Sequence, residues 1–151
     1  NFTTASINWS IGSVTTGANF AILNTSGSDN VINGNWTSNN AGLVFENIGN
    51  QNVTLTLQTG KNATMFLGGT NPSYKWNISN VEPGSCANIT SDGNISFGVF
   101  YNVNTTAITV CRQFLANNSV DTMRIDIAIV VPSDSLTGAL SDTITAVATA
   151  V

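Results

Sequence analysis

Apolar and polar residues alternate along several short stretches of this chain, and this alternation constrains the fold more than any other feature. In the clearest stretch, residues 121–131, every second residue is apolar: Met123, Ile125, Ile127, Ile129 and Val131. A period of two places these side chains on one face of a β-strand. Helical periodicity is nearly absent elsewhere. The sequence therefore predicts an all-β protein.

Gly, Asn, Asp and Pro residues separate the alternating stretches from one another. We predict strands at 19–24, 31–36, 42–48, 52–59, 63–67, 74–78, 95–103, 108–115, 121–131 and 140–151. The last two are expected to form a closing hairpin, because Pro132 and a turn-rich segment separate them. Short strands at this spacing favour a Greek-key immunoglobulin-like β-sandwich, with a jelly roll as the alternative. A chain of 151 residues has room for one such core.

Charge is sparse and mixed, which argues against two classes of partner. Charged residues make up 8% of the chain and the formal net charge is -4. The four cations, Lys61, Lys75, Arg112 and Arg124, stand singly and form no basic patch. We therefore expect no nucleic-acid partner. Since no apolar stretch reaches the roughly 20 residues that a membrane helix needs, we also expect no membrane insertion of the mature chain.

The chain has no histidine, which removes the usual nucleophile–base and histidine–metal sites. A pair of carboxylates for glycoside hydrolysis stays open as an alternative. However, Glu46, Glu82, Asp92 and Asp126 fall singly in different predicted elements, as scattered solvated acids do. We expect no enzymatic activity, no cofactor and no metal site.

Asn-x-Ser/Thr triplets, the acceptors of N-linked glycans, recur along the whole chain. Eleven begin at Asn1, Asn8, Asn24, Asn35, Asn52, Asn62, Asn77, Asn88, Asn94, Asn104 and Asn117. An Asn- and Thr-rich composition alone produces some of them. No charged and then apolar leader opens the chain, so we expect a mature, secreted glycoprotein of the cell surface or extracellular space.

Several triplets fit the strand alternation. In a strand, the acceptor Asn and the hydroxyl residue two positions later share one face. The triplets at Asn52, Asn62, Asn77 and Asn94 oppose apolar neighbours in this way. We therefore expect their glycans to project from the outer faces of the sheets.

The two cysteines, Cys86 and Cys111, indicate the same compartment. An even number of cysteines in an exported chain usually forms disulfides, and no C-x-x-C spacing suggests a metal or redox site. We predict one disulfide between them.

The N-terminal residues 1–11 form a predicted amphipathic strand, with Ala5, Ile7, Trp9 and Ile11 on one face. Residues 12–17, rich in Gly, Ser and Thr, are a candidate hinge before a sandwich domain at 18–151. Such a strand either begins a self-contained sandwich or fills an empty strand position in a neighbouring subunit. Under the second hypothesis these four residues are the polymerisation residues. The C-terminal strand is the less favoured donor.

Two segments carry a resemblance to known proteins. Residues 45–57, FENIGNQNVTLTL, look like the strand–turn–strand of many archaeal extracellular immunoglobulin-like domains. Residues 131–145 are similar to the closing hairpin of that group. The chain thus resembles subunits of archaeal threads and bundling pili and, more distantly, TasA-type biofilm fibres. The resemblance implies a homopolymer of β-sandwiches joined head to tail by donor strands. Such a polymer would serve in adhesion, cell contact or biofilm, with other cell surfaces as its partners.

The competing hypothesis is a monomeric binding module, either an adhesin, a surface-layer-associated sandwich or a carbohydrate-binding domain. Aromatic rings that could stack on sugars are Trp9, Trp36, Tyr74, Trp76 and Tyr101. They alternate in step with apolar neighbours, which favours packing in the core instead.

Overall fold

The structure is a computed structural model that describes residues 5–13, 28–31, 43–87 and 95–151, with side chains from Phe45 onward except that of Ala139. The described part contains nine strands and one short helix. They are β1 (Ala5–Ser13), β2 (Ser28–Val31), β3 (Leu43–Glu46), β4 (Val53–Thr59), α1 (Ala63–Leu67), β5 (Ser73–Asn80), β6 (Tyr101–Asn102), β7 (Ile108–Phe114), β8 (Thr122–Val130) and β9 (Ala139–Ala150).

The strands form two antiparallel sheets. The first sheet has the order β1-β9-β4-β7. The second has the order β2-β8-β5-β6, and β3 also pairs with β8. Every pairing between these strands is antiparallel. The prediction of an all-β protein is confirmed.

One core lies between the two sheets. In β4 the buried residues alternate with half-buried ones, as the sequence pattern predicts. The same alternation in β5 and most of β8 turns large side chains inward. Leu57, Trp76 and Ile127 each expose 0% of their surface. Burial of a side chain of this size stabilises the fold by roughly 1.5–3 kcal/mol. The core therefore draws on both sheets.

The predicted closing hairpin is wrong. β8 pairs with β5 and with β2 and β3 in the second sheet, whereas β9 pairs with β4 and β1 in the first. Residues 131–138 cross between the sheets, and both Val131 and Pro132 are buried on the way. Alternation shows which face of a strand is buried, but a hairpin and a crossover give the same alternation.

The segment Ala63–Leu67 is a helix, not the predicted strand. Asn62 caps it, because its side-chain oxygen accepts a hydrogen bond from the backbone N–H of Met65 at 2.9 Å. Gly68, with φ of 66°, ends it. Phe66 is buried and Met65 is 59% exposed, whereas a strand would have put Met65 inside.

The predicted strand at 95–103 is mostly irregular. Within it only Tyr101 and Asn102 form a strand, opposite Trp76 and Lys75. Gly98 has a φ of 82°, a left-handed conformation that interrupts an extended chain. Predicted strand 19–24 lies outside the described residues, and of 31–36 only Val31 is described, at the end of β2.

Candidate functional site

The N-terminal strand β1 lies at the edge of the first sheet, antiparallel to β9. The register runs from Ala5 opposite Ala146 to Ser13 opposite Ala139, with a shift between Ser10 and Gly12. The strand thus continues through Gly12 and Ser13, which the sequence assigned to the hinge. Val14 to Gly17, the rest of the hinge, lie outside the described residues.

Three of the four predicted polymerisation residues match buried positions of β9. The register sets Ala5, Ile7 and Trp9 opposite Ala146, Ile144 and Asp142. Those β9 residues are 4%, 0% and 5% exposed. The fourth residue, Ile11, falls in the register shift between Ser10 and Gly12. Ala5, Ile7 and Trp9 therefore occupy register positions beside buried residues of β9.

β1 depends on one neighbour. Among the described elements, the strand that it contacts extensively is β9. On its other side, β9 pairs with β4 along seven residues, from Thr59 opposite Ile144 to Val53 opposite Ala150. Loss of β1 would leave β9 as the sheet edge without removing a strand from the interior of either sheet.

β1 ends and β2 begins at the same end of the sandwich. Ser13 lies opposite Ala139, and Ser28 lies opposite Val130. Residues 131–138 join these two positions directly. We call this end, formed by residues 59–72, 103–107 and 131–142, the Pro132 end. Backbone hydrogen bonds from Gly60 to Thr143 and from Leu136 to Leu67 hold it together.

A buried carboxylate and a buried phenol join the two sheets at the Pro132 end. The hydroxyl of Tyr74 in β5 donates to Asp142 Oδ2 in β9 at 3.1 Å. Tyr74 is 1% exposed, and burial, followed by the charge and hydrogen bond of Asp142, raises the pKa of its hydroxyl. Burial also raises the pKa of Asp142, although hydrogen bonds from Thr143 and Tyr74 and the charge of Lys61 oppose the shift.

A surface depression of about 340 Å³ adjoins this pair and is lined by Gly60, Lys61 and residues 141–143. Lys61 Nζ donates to the backbone oxygen of Ser141 across it. A Cβ added to Gly60 would lie 2.8 Å from Asp142 Oδ1, so glycine permits this approach. These contacts hold the end of β4 against β9 and so serve the fold.

Two of the acids considered for glycoside hydrolysis, Glu82 and Asp126, make separate structural contacts. Glu82 Oε2 accepts the backbone N–H of Asp121 at 2.9 Å. Asp126 Oδ1 lies 3.2 Å from Arg124 Nε, and its side chain is 4% exposed. Glu46 is exposed on β3, and Asp92 lies outside the described residues.

Neither a metal cluster nor a membrane helix is found in the described segments. Within residues 5–13, 28–31, 43–87 and 95–151, no group of three or more Cys, Asp or Glu side chains is placed to hold a metal ion. No helix of those same segments is long and apolar enough to cross a membrane.

The predicted disulfide between Cys86 and Cys111 is confirmed, with a Cα–Cα distance of 5.8 Å. Cys111 lies in β7 of the first sheet. Cys86 follows β5 of the second sheet and forms an isolated bridge with Phe114. The disulfide therefore links the segment that follows β5 in the second sheet to β7, an edge strand of the first sheet.

The acceptor asparagines fall into groups. Asn62, Asn104 and Asn117 are exposed, and Asn52 and Asn77 are half-buried. Asn8 lies in β1, opposite Thr143. The others, Asn1, Asn24, Asn35, Asn88 and Asn94, lie outside the described residues. Asn77 does lie on the outer face of β5, and Asn52 immediately precedes β4. Asn62 instead caps a helix, so the predicted strand arrangement is wrong there.

Two of the five candidate sugar-stacking aromatics belong to the core. Trp76 and Tyr74 are 0% and 1% exposed, as their alternation predicts. Tyr101 is half-buried, and its hydroxyl accepts the backbone N–H of Ser96 at 3.0 Å. The side chain of Trp9 and the whole of Trp36 lie outside the described residues.

No family model matches the chain, and no curated protein or solved structure matches it either. A functional proposal therefore depends on the strand order, the register and the surface of the chain itself.

Proposed function

We propose that this protein is a non-catalytic structural subunit of a glycosylated extracellular filament, in which β1 of one copy inserts beside β9 of the next. The sandwich would have an immunoglobulin-like Greek-key topology, and the filament would serve adhesion, cell contact or biofilm. The observation that supports this is the position of β1. It is an edge strand of the first sheet, in extensive contact with β9 alone among the described elements.

The chain between β1 and β2 is long enough for donation. Residues 14–27 number fourteen. Fourteen extended residues span up to about 46 Å, whereas packed sheets lie only about 10 Å apart. The twelve residues of β9 extend over about 40 Å. A linker of this length can therefore reach a neighbouring copy placed head to tail.

Exchange of β1 between copies conserves the pairing energy. Burial of Ile7 and Trp9 would contribute roughly 1.5–3 kcal/mol each, in the same chain or in another. Association costs about 4–15 kcal/mol, which high local concentration and new contacts between subunits must offset. Strand exchange is consequently a low-cost route to assembly for a chain with this topology.

The edge that β1 covers has little protection of its own. Residues 139–150 contain one charged residue, Asp142, and neither Lys nor Pro. Monomeric sheet proteins usually protect an exposed edge with such residues. An uncovered β9 therefore favours pairing with a strand from another copy.

The alternative is a monomeric surface module, an adhesin or a surface-layer-associated or carbohydrate-binding sandwich. The pairing of β1 with β9 of its own chain favours it, because a single copy then completes its first sheet. The two functions differ in whether the β1 that pairs with a given β9 comes from the same copy of the protein or from another copy.

A cysteine pair tests this difference directly. Ser6 and Thr145 are opposite each other in the register, so the double variant S6C/T145C should form a disulfide between β1 and β9. If β1 is donated, assembled protein gives a ladder of covalent multimers on a non-reducing gel. Monomers alone, each with an internal disulfide, would overturn the filament proposal.

The control variant is S6C/T149C, which moves the β9 cysteine four residues out of register. It should form neither the ladder nor the internal bond in good yield. The native cysteines are 4% and 0% exposed and paired, so they should not exchange with the new thiols.

A further inference from the structure

The acceptor triplets of this chain differ sharply in how the folded protein presents them. At Asn104 and Asn117, the side-chain oxygen accepts the backbone N–H of the residue two positions on, at 2.9 Å and 3.3 Å. These residues, Thr106 and Ser119, are the hydroxyl members of the two triplets. In both triplets the asparagine and the hydroxyl residue are exposed.

The triplet at Asn62 is presented in a similar way. Its side-chain oxygen accepts the backbone N–H of Met65, and both Asn62 and Thr64 are exposed. In all three triplets the backbone occupies the amide oxygen. The amide nitrogen Nδ2, on the other side of the planar group, remains for reaction at the surface.

The triplet at Asn77 is presented differently, although it lies on the outer face of β5. Its side-chain oxygen is buried from solvent and has no hydrogen-bond partner among the described residues. The same is true of the hydroxyl of Ser79. Both atoms that identify this triplet are therefore out of reach from solvent.

Two charged residues of the neighbouring strand β8 lie beside this triplet. Asn77 lies opposite Asp126 and Ser79 lies opposite Arg124 in the β5–β8 register. Asp126 is 3% exposed, and Arg124 Nε lies 3.2 Å from its carboxylate. The Asn77 triplet therefore lies beside the Arg124–Asp126 ion pair of β8, on a part of the outer face where Asp126 itself is almost fully buried.

Glycan transfer needs access to the whole triplet, of which the amide oxygen of Asn77 and the hydroxyl of Ser79 are buried here. Nδ2 of the asparagine forms a bond to C1 of a lipid-phosphate-linked oligosaccharide, while the bond between C1 and the phosphate oxygen breaks. The lipid phosphate leaves, and Nδ2 loses one proton. A transferase that recognises the triplet must contact both the amide and the hydroxyl two residues later.

We propose that the fold sorts its acceptor sites, so that Asn62, Asn104 and Asn117 carry N-linked oligosaccharide and Asn77 stays bare. This rests on the proposed export and glycosylation of the chain. It implies that the transferase acts on the folded or folding protein, since an extended chain presents all four triplets alike.

A matched series of four substitutions tests the assignment: T64A, S79A, T106A and S119A. Each removes the hydroxyl of one triplet and keeps the asparagine, so the cap at Asn62 and the turns at Asn104 and Asn117 are retained. The measurement is the intact mass of the secreted protein from its native host. We expect T64A, T106A and S119A each to lose the mass of one oligosaccharide, and S79A to lose none.

A loss of oligosaccharide mass in S79A would overturn the assignment, and so would an unchanged glycan mass in any of the other three. Glycopeptide mapping of the unaltered protein checks Asn77 even if S79A fails to fold, and an oligosaccharide found there has the same consequence. A protein without any oligosaccharide also overturns it. The S6C/T145C ladder would still report on the filament proposal in that case.

Discussion

Asp142 and Asp134, two carboxylates of the Pro132 end, have their pKa values shifted in opposite directions. Burial of Asp142 favours its neutral form and raises its pKa above 3.8. Asp134 is exposed and accepts hydrogen bonds from the backbone N–H and the hydroxyl of Thr70, at 2.9 Å and 2.8 Å. These bonds favour the ionised form and lower its pKa.

The two groups should therefore act on stability with opposite signs. Folded Asp142 binds a proton more readily than the unfolded chain, so its contribution falls as pH rises from 3.8 through its raised pKa. Asp134 contributes stability above 3.8, and that contribution is lost as pH falls through its lowered pKa. We expect D142N to gain stability relative to the unaltered protein as pH rises through the first window. We expect D134N to lose stability relative to the unaltered protein as pH rises from the lowered pKa of Asp134 to 3.8.

Urea unfolding of both variants over the acidic range measures these differences, with each variant serving as the control for the other. Difference curves of the same sign would contradict the two environments described above. Replacement by Asn keeps the size of each side chain, so the comparison isolates the titrating proton.

Helix α1 shows that alternation over a few residues does not determine whether a segment forms a strand or a helix. Thr64 lies between the apolar residues Ala63 and Met65, as in a strand, but the apolar Phe66 breaks the alternation. The helix is set instead by the cap at Asn62 and by the left-handed Gly68. We predict that N62A lowers the free energy of unfolding by about 1 kcal/mol relative to N62D, which keeps a capping oxygen.

Both of these variants lose the glycan acceptor, so glycosylation cannot explain a difference between them. Thermal or urea unfolding of the pair measures the cap. Equal stabilities would mean that tertiary contacts of Phe66 and Leu67 alone hold the helix.

The strand positions were largely predictable, because burial repeats every second residue. Both ends of β4, β5, β7, β8 and β9 lie within two residues of their predicted positions. Their partners were not predictable, since Ile127 and Ile144 give the same pattern whether β8 and β9 form a hairpin or face each other. For the same reason, the sequence located Asn77 on an outer face but did not reveal Asp126 and Arg124 beside it.

Deletion of residues 1–13 removes β1, which can then be supplied as a separate peptide. β9 would become the edge of the first sheet. We expect the shortened chain to lose assembly and to be stabilised by a synthetic peptide of residues 5–13, measured as a rise in its melting temperature. A peptide with both I7D and W9D should have no such effect, because it would place charge opposite Ile144 and Asp142, which are buried. Assembly of the shortened chain at the unaltered rate would contradict the role of β1.

In the proposed filament, assembly and the disulfide involve opposite edges of the first sheet. The order β1-β9-β4-β7 puts the proposed donor strand at one edge and the disulfide-bonded strand at the other. The loop between Cys86 and Cys111 has a sequence separation of 25. On the chain-entropy model, closing a loop of this length stabilises the fold by about 3.5 kcal/mol.

The double substitution C86A/C111A should therefore separate fold stability from assembly. We predict a loss of about 3.5 kcal/mol in the free energy of unfolding, since the unfolded chain is no longer constrained. A reducing agent should destabilise the unaltered protein and leave the variant unchanged. The S6C/T145C ladder should persist in the variant background under conditions where the variant is folded, because the β1–β9 register does not involve β7. If the ladder disappeared from folded protein, the two edges would be coupled through β4 and β9, and strand donation would depend on the disulfide.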